Sequence, residues 1–235
     1  MELKGRLGAI AGKIPACGVL ADVGTDHAYI PMYAVMKGVC SKALATDVRI
    51  GPVKIAERNI RRCGLEERIE VRLGPGLEPV ACGEADTAVI AGMGGLVINE
   101  ILRDSLEKAR GIKHLILQPM NAVELVRKWL YEEGFAIHEE LLVSEGKKLY
   151  NILCAGWEGS GADRDEYELY IGRELLHSGD PLLGDYLLKK YNQLNIMIDG
   201  RNKSDTGRGG LENLIHLRDR LVADLQRVRM IGGSI

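Results

Sequence analysis

Val19-Leu20-Ala21-Asp22-Val23-Gly24-Thr25-Asp26-His27 decides the fold: an apolar run ends at a single glycine that is flanked by two carboxylates and followed by a histidine. The run reads as a buried strand, and the glycine as the tight turn that hands it to a helix. Such a unit near the N-terminus opens a doubly wound α/β sheet, where ligands sit beyond the carboxyl ends of the strands. The charges then select the ligand. A dinucleotide fingerprint would need Gly at positions 22, 24 and 27, so that backbone amides approach a pyrophosphate, and only Gly24 is present. Asp22 and Asp26 would repel that pyrophosphate and attract a cation. S-adenosylmethionine carries a sulfonium and an ammonium, so the turn favours a methyl donor over NAD; the plainer alternative is a solvated strand end.

Working outward, Lys42 to Asp47 reads as a second buried strand, ending in a carboxylate 23 residues after Gly24. Asp47 is placed to accept hydrogen bonds from ribose hydroxyls, although an Asp here also serves as a helix N-cap or as a partner for Arg49. Strands follow at Ile69–Leu73, before the turn Gly74-Pro75-Gly76-Leu77, and at Thr87–Ala91, before Gly92-Met93-Gly94-Gly95. The glycines of that second turn leave bare backbone for a ligand or a substrate base, or simply connect a strand to a helix. His114–Pro119 is a fifth strand; Gln118 and Asn121 at its end could read the edge of a base or act as turn and cap residues. Ala136–Val143 and Leu149–Trp157 form a closing antiparallel hairpin. Seven strands in this layout predict a Rossmann-like methyltransferase sheet, mostly parallel.

Between the strands lie helical patterns. Leu3, Leu7, Ile10, Ala11 and Ile14 predict a helix ending at Pro15, packed on the sheet or shielding the ligand mouth. Ala28–Val39 is a buried helix with Pro31 in its first turn, so His27 stands at its N-terminus, as a ligand contact or as a structural cap. From Pro52 to Cys63, Val53, Ala56, Ile60 and Cys63 share one face, while Lys54, Arg58, Arg61 and Arg62 share the other. That basic face is either a phosphate-contacting stripe or an ordinary solvated surface.

The chain of 235 residues, 46% of them apolar, suffices for one domain with an appendage. Its five cysteines form no C-x-x-C pair, which favours a reducing cytoplasm over a disulfide frame or a metal site. No apolar run spans a bilayer and no signal peptide opens the chain, so a soluble cytoplasmic protein without membrane or metal partners is expected, with a monomer favoured. A net charge of −2 means that any nucleic acid must be held by a local basic patch. At Glu158-Gly159-Ser160-Gly161-Ala162 the composition turns small and polar, which divides the chain into a sheet domain, 1–159, and a helical unit, 160–235. Apolar faces at Tyr167–Leu176, Leu183–Leu194 and Leu214–Val228, separated at Asp180-Pro181 and Gly207–Gly210, predict an antiparallel coiled-coil-like appendage. Its Lys189, Lys190, Arg201, Lys203, Arg218, Arg227 and Arg229 make it a candidate RNA grip, with acidic Asp205, Asp219 and Asp224 keeping a structural role open.

Asp22 through Pro31, Ala45-Thr46-Asp47-Val48 with Gly51-Pro52, Arg72-Leu73-Gly74 with Gly76-Leu77, Ala91-Gly92-Met93-Gly94-Gly95, and Leu117-Gln118-Pro119 with Arg127 and Trp129-Leu130 together resemble the bacterial tRNA (adenine-22)-N1-methyltransferase family. The similarity runs through most of residues 1 to 157, while the tail matches only in kind. The resemblance implies methyl transfer from S-adenosylmethionine to adenine N1 in tRNA, the neutral lone pair attacking without prior deprotonation. It places Asp22, Gly24, Asp26, His27, Asp47, Val48, Gly74, Gly76, Gly92, Met93 and Gly94 at the donor, with Asp26, His27, Gln118 and Asn121 at the reacting centre. Where the family usually has Asp, at a position expected to meet the donor's adenine, this chain has Pro75. A small-molecule methyltransferase on the same fold and a non-catalytic RNA-binding protein are the alternatives.

Overall fold

A computed structural model describes residues 1–202 and 210–232. Lys203, Asp205 and Gly207-Arg208-Gly209 lie outside the described residues, as does the side chain of Arg229. The chain divides into two compact units, Met1–Asp163 and Arg164–Ile235.

The first unit opens with α1 (Gly5–Ala11), then alternates β1 (Cys17–Val23), α2 (Tyr29–Met36), β2 (Cys40–Asp47), α3 (Ile50–Arg62) and β3 (Ile69–Leu73). It continues through β4 (Thr87–Met93), α4 (Gly95–Asp104), α5 (Leu106–Gly111), β5 (His114–Pro119) and α6 (Val123–Glu132), and closes with the hairpin β6 (Phe135–Glu145) and β7 (Lys148–Trp157). All seven strands join one sheet in the order β3-β2-β1-β4-β5-β7-β6. β1 to β5 pair in parallel, and β7 runs antiparallel to both β5 and β6. The order reverses between β1 and β4, the crevice where a doubly wound sheet takes its ligand.

The central strands are unbroken apolar runs because both their faces are covered. On one face Ile10, Ile30, Val35 and Ile60 from α1, α2 and α3 close on Leu20, Ala43, Val89 and Ile116. Alternation turns Ala21, Leu44, Ala88 and Leu117 the other way, and they are buried as well. α4 packs on β4, β5 and α6, burying Ile98, Leu102, Val126 and Leu130. Each such aliphatic side chain stabilises the fold by roughly 1.5–3 kcal/mol.

Several elements differ from expectation. α5 lies where no helix was expected, and α4 follows the glycine turn as the plain strand-to-helix alternative had it; α4 starts at Gly94-Gly95, a poor helix opening, and takes its first-turn hydrogen bond from another element, Gly95 N–H donating to Asn121 Oδ1 at 3.2 Å. β4 runs on to Met93 through a register shift between Ala91 and Met93. At the start of the sheet Cys17 and Cys40 are register partners, their sulfurs 2.6 Å apart as free thiols.

The second unit holds α7 (Glu166–Ile171), α8 (Arg173–His177), α9 (Leu183–Asn202) and α10 (Leu211–Gly232). The single helix expected over Tyr167–Leu176 is broken by Gly172, whose φ of 105° no helix accommodates. α9 and α10 pack on each other, with Gly184 beside Val228 and Arg201 beside Gly210, so they run antiparallel. Lys190 does not present its charge to solvent: it is 7% exposed, with Nζ 4.2 Å from the Tyr170 ring centroid. Arg218 and Arg227 pair with Asp219 and Asp224. Among the described residues no helix is long and apolar enough to cross a membrane.

Candidate functional site

The carboxyl ends of β1, β2 and β4 surround a cavity of about 680 Å³. Its floor is the turn after β1. Gly24 N–H and Thr25 N–H both donate to Thr46 O at 2.8 Å, so these amides are spent inside the sheet and form no cradle for a phosphate. Gly24 has φ 77° and lies under the Met93 methyl, where a Cβ would collide. Both conditions require glycine.

Asp22, next to last in β1, lies in the cavity wall and is 7% exposed. Burial lifts its carboxyl to about 6; the Thr25 hydroxyl tempers the effect and Asp47 adds to it. A buried carboxylate with no cation beside it is a poised receptor for one. Asp47 is also buried, and its Oδ1 accepts the Arg49 N–H at 2.8 Å. The N-cap of α3 is Arg49, not Asp47, and the Arg49 side chain pairs with Asp47 as the alternative reading expected, Nε 3.5 Å from Oδ1; Asp47, Val48 and Arg49 all line the cavity.

At the mouth, His27 Nε2 lies 3.2 Å from Asp26 Oδ2, and the His27 ring stacks on Tyr29 with centroids 5.1 Å apart. His27 does not cap α2: the N-cap is Ala28, in the left-handed region at φ 58°, without a side-chain cap. Asp26, His27 and Tyr29 all line the cavity.

On the β4 side, Gly92 and Met93 line the cavity, whereas Gly94 does not. Gly94 and Gly95 make room instead for the loop at Asn121, since a Cβ on Gly95 would stand 2.6 Å from Ala122 O. Gly76 lines the cavity with Pro75, while Gly74 packs against Pro79. The expected base readers are placed differently. Gln118 is fully buried: Oε1 accepts Gly92 N–H at 3.1 Å and Arg6 Nη1 at 2.5 Å, and Nε2 donates to Pro119 O at 2.9 Å. Neither Gln118 nor Asn121 lines the cavity. Both support the turn from behind.

Val97 and Ile101 complete an apolar wall with Pro75, and Arg6 and Leu7 of α1 close another side. Sequence reading missed Val97, Ile101 and Arg6, whereas Leu7 belongs to the helix expected to pack on the sheet or shield the ligand mouth. Val97 and Ile101 stand one helical turn apart, a legible signal had the faces of α4 been traced. Lys54, Arg58, Arg61 and Arg62 are all exposed on α3 and lie outside the cavity, although Arg49 at the N-cap of that helix lines it. Among the described residues no cluster of three or more His, Cys, Asp or Glu is arranged to hold a metal. The lining fits S-adenosylmethionine: a buried carboxylate for a cation, a second carboxylate for a diol, and an apolar wall for a flat base.

Residues 3–153 match the family model described as a methyltransferase domain. The chain is 41% identical over 192 residues to the tRNA (adenine(22)-N(1))-methyltransferase of Bacillus subtilis strain 168, covering 82% of this chain and 77% of that protein. The crystal structure of the B. subtilis M1A22 tRNA methyltransferase superposes with a TM-score of 0.86 at 31% identity, over 95% of this chain and 99% of that one. A Streptococcus pneumoniae structure in complex with S-adenosyl-L-methionine superposes with a TM-score of 0.82 at 30% identity, over 96% of this chain and 100% of that one.

Proposed function

This chain belongs to the tRNA (adenine(22)-N(1))-methyltransferase family, and from that premise we propose that it methylates N1 of adenine 22 in tRNA, with S-adenosyl-L-methionine as donor. The observation that carries the reading is the cavity, which gathers Asp22, Gly24, Asp47 and Gly92 from three strand ends of a methyltransferase sheet. When bound, the donor supplies an electrophilic methyl group on a sulfonium. Asp22 and Asp26 attract its positive charges, and Asp47 takes the ribose hydroxyls. Pro75, Val97 and Ile101 receive the adenine of the donor by apolar contact rather than through a carboxylate. Gly92 leaves space for the acceptor base, whose neutral N1 attacks through its lone pair and carries no proton to be removed. The protein's task is alignment, and a near-attack geometry can supply on the order of 7–11 kcal/mol.

The partner is tRNA in the cytoplasm, with the target base unstacked so that its Watson–Crick edge is free. Lys54, Arg58, Arg61 and Arg62 are exposed on a helix that begins at the cavity, and among the described residues they form no ion pair. This supports their contacting phosphates. Mass spectrometry of nucleosides from tRNA incubated with protein and donor tests the reaction. The expected product is 1-methyladenosine, absent when position 22 is changed to guanosine; a methylated small molecule with unmodified tRNA would overturn the reading.

A further inference from the structure

We propose that Arg6 is a positioning residue for methyl transfer, acting through Gln118 on the Gly92 turn; the proposal rests on the acceptor assignment above. Arg6 stands at the start of α1, far in sequence from everything it touches. Its Nη1 donates to Gln118 Oε1 at 2.5 Å, the same oxygen that accepts Gly92 N–H at 3.1 Å. Its guanidinium lies 5.3 Å from the Tyr150 ring centroid, with Nε 3.5 Å from Glu145 Oε2. The hairpin β6–β7 thus grips the arginine while its Nη1 grips Gln118.

A carboxamide can be turned over, exchanging its donor and acceptor ends. Turned over here, the Gln118 NH₂ would face Gly92 N–H and Arg6 Nη1, both donors, and its oxygen would face Pro119 O. A guanidinium has no acceptor to offer, so Arg6 joins Gly92 N–H and Pro119 O in holding this one orientation. Its charge also strengthens the bond it makes. With Gln118 held so, the Gly92 N–H is tied down, and Gly92 keeps the φ of 77° that presents bare backbone to the cavity. Arg6 Nη1 itself stands 3.6 Å from where a Gly92 Cβ would be. Among the described residues Arg6 makes no hydrogen bond to Asp22 or Asp47. Arg6 lines the cavity beside Gly92, at the end assigned to the acceptor base and away from the carboxylates assigned to the donor.

The test compares Arg6→Met and Arg6→Lys with the wild-type chain, alone and in a Gln118→Ala background. Arg6→Met is expected to keep the dissociation constant for S-adenosylhomocysteine within about twofold, while kcat at saturating donor and tRNA falls about tenfold or more. Arg6→Lys, which still donates to Gln118, recovers part of that loss. In the Gln118→Ala background Arg6→Met has little further effect, because the two residues act as one unit. Amide hydrogen exchange at Gly92 speeds up about tenfold or more in Arg6→Met, with the exchange of central β-strand amides unchanged. Parallel loss of homocysteine-product binding and kcat, a rise in tRNA KM with kcat intact, multiplicative effects of the two substitutions, or unchanged Gly92 exchange would each overturn the proposal. A wild-type chain that leaves tRNA unmethylated would refute the function reading instead, and the exchange comparison would still decide the role of Arg6.

Discussion

Asp22 shows how one residue links stability to ligand choice. Its burial raises the carboxyl from 3.8 to about 6, so between those values the folded chain holds a proton that the unfolded chain has released. Stability from this group is therefore fully present below pH 4 and is lost as pH rises through about 6, a fall of roughly 3 kcal/mol by neutral pH. Asp22→Asn should therefore raise the melting temperature of the donor-free protein at pH 8 and leave it nearly unchanged at pH 4. The same substitution should weaken donor binding, because the cation loses its partner. In the wild-type chain, donor affinity should fall about tenfold per unit as pH drops below 6. Melting curves and calorimetric titrations across pH check all three. The acidic character of Asp22 is legible in the sequence; its burial is not, because that depends on Asp47 and the turn closing over it.

At the scale of elements, the hairpin and α6 are joined by a buried ion pair. Arg127 Nε and Nη2 donate to the two carboxylate oxygens of Glu140 at 3.0 and 2.6 Å, and Asn151 Nδ2 donates to Glu140 Oε1 at 2.8 Å. Both charged side chains are at most 1% exposed. Glu140→Leu alone should destabilise the protein by about 3–5 kcal/mol, since it removes the carboxylate that pairs with the buried Arg127 charge, and adding Arg127→Met should restore much of the loss. Urea denaturation of the single and double variants measures this. On α3, whose basic face was evident from spacing, Arg58→Glu with Arg61→Glu should weaken tRNA binding and flatten its salt dependence. The slope of log affinity should drop by roughly 0.7–0.9 for each phosphate contact removed. Filter binding over a salt series decides it, with donor affinity expected to stay unchanged. Periodicity located α3 because a helix half-exposed to water must alternate polar and apolar faces; it did not locate α4, whose opening glycines mask the pattern.

At the scale of the whole molecule, the division after Asp163 predicts that a chain truncated there remains folded, melts cooperatively and binds S-adenosylhomocysteine, while its methylation of tRNA falls sharply. Circular dichroism melts, calorimetry and a methylation assay check the three parts. Aggregation of the truncated chain would mean that the helices complete the core of the sheet. The sequence by itself determined the strands, their alternation with helices and the acidic turn at Asp22-Val23-Gly24-Thr25-Asp26, because apolar periodicity and glycine placement are local constraints on a chain that must bury its backbone. It also marked Asp47 and Gly92 as strand-end residues, hence as residues of the ligand-binding edge of a parallel sheet. Only the tertiary structure decided that Gln118 and Asn121 support the β4 turn instead of facing the cavity, that Gly94 and Gly95 admit a loop, and that Arg6 reaches Gln118. Those outcomes depend on which donor meets which acceptor across distant segments, and hydrogen bonds of that kind leave no spacing in the chain from which to read them.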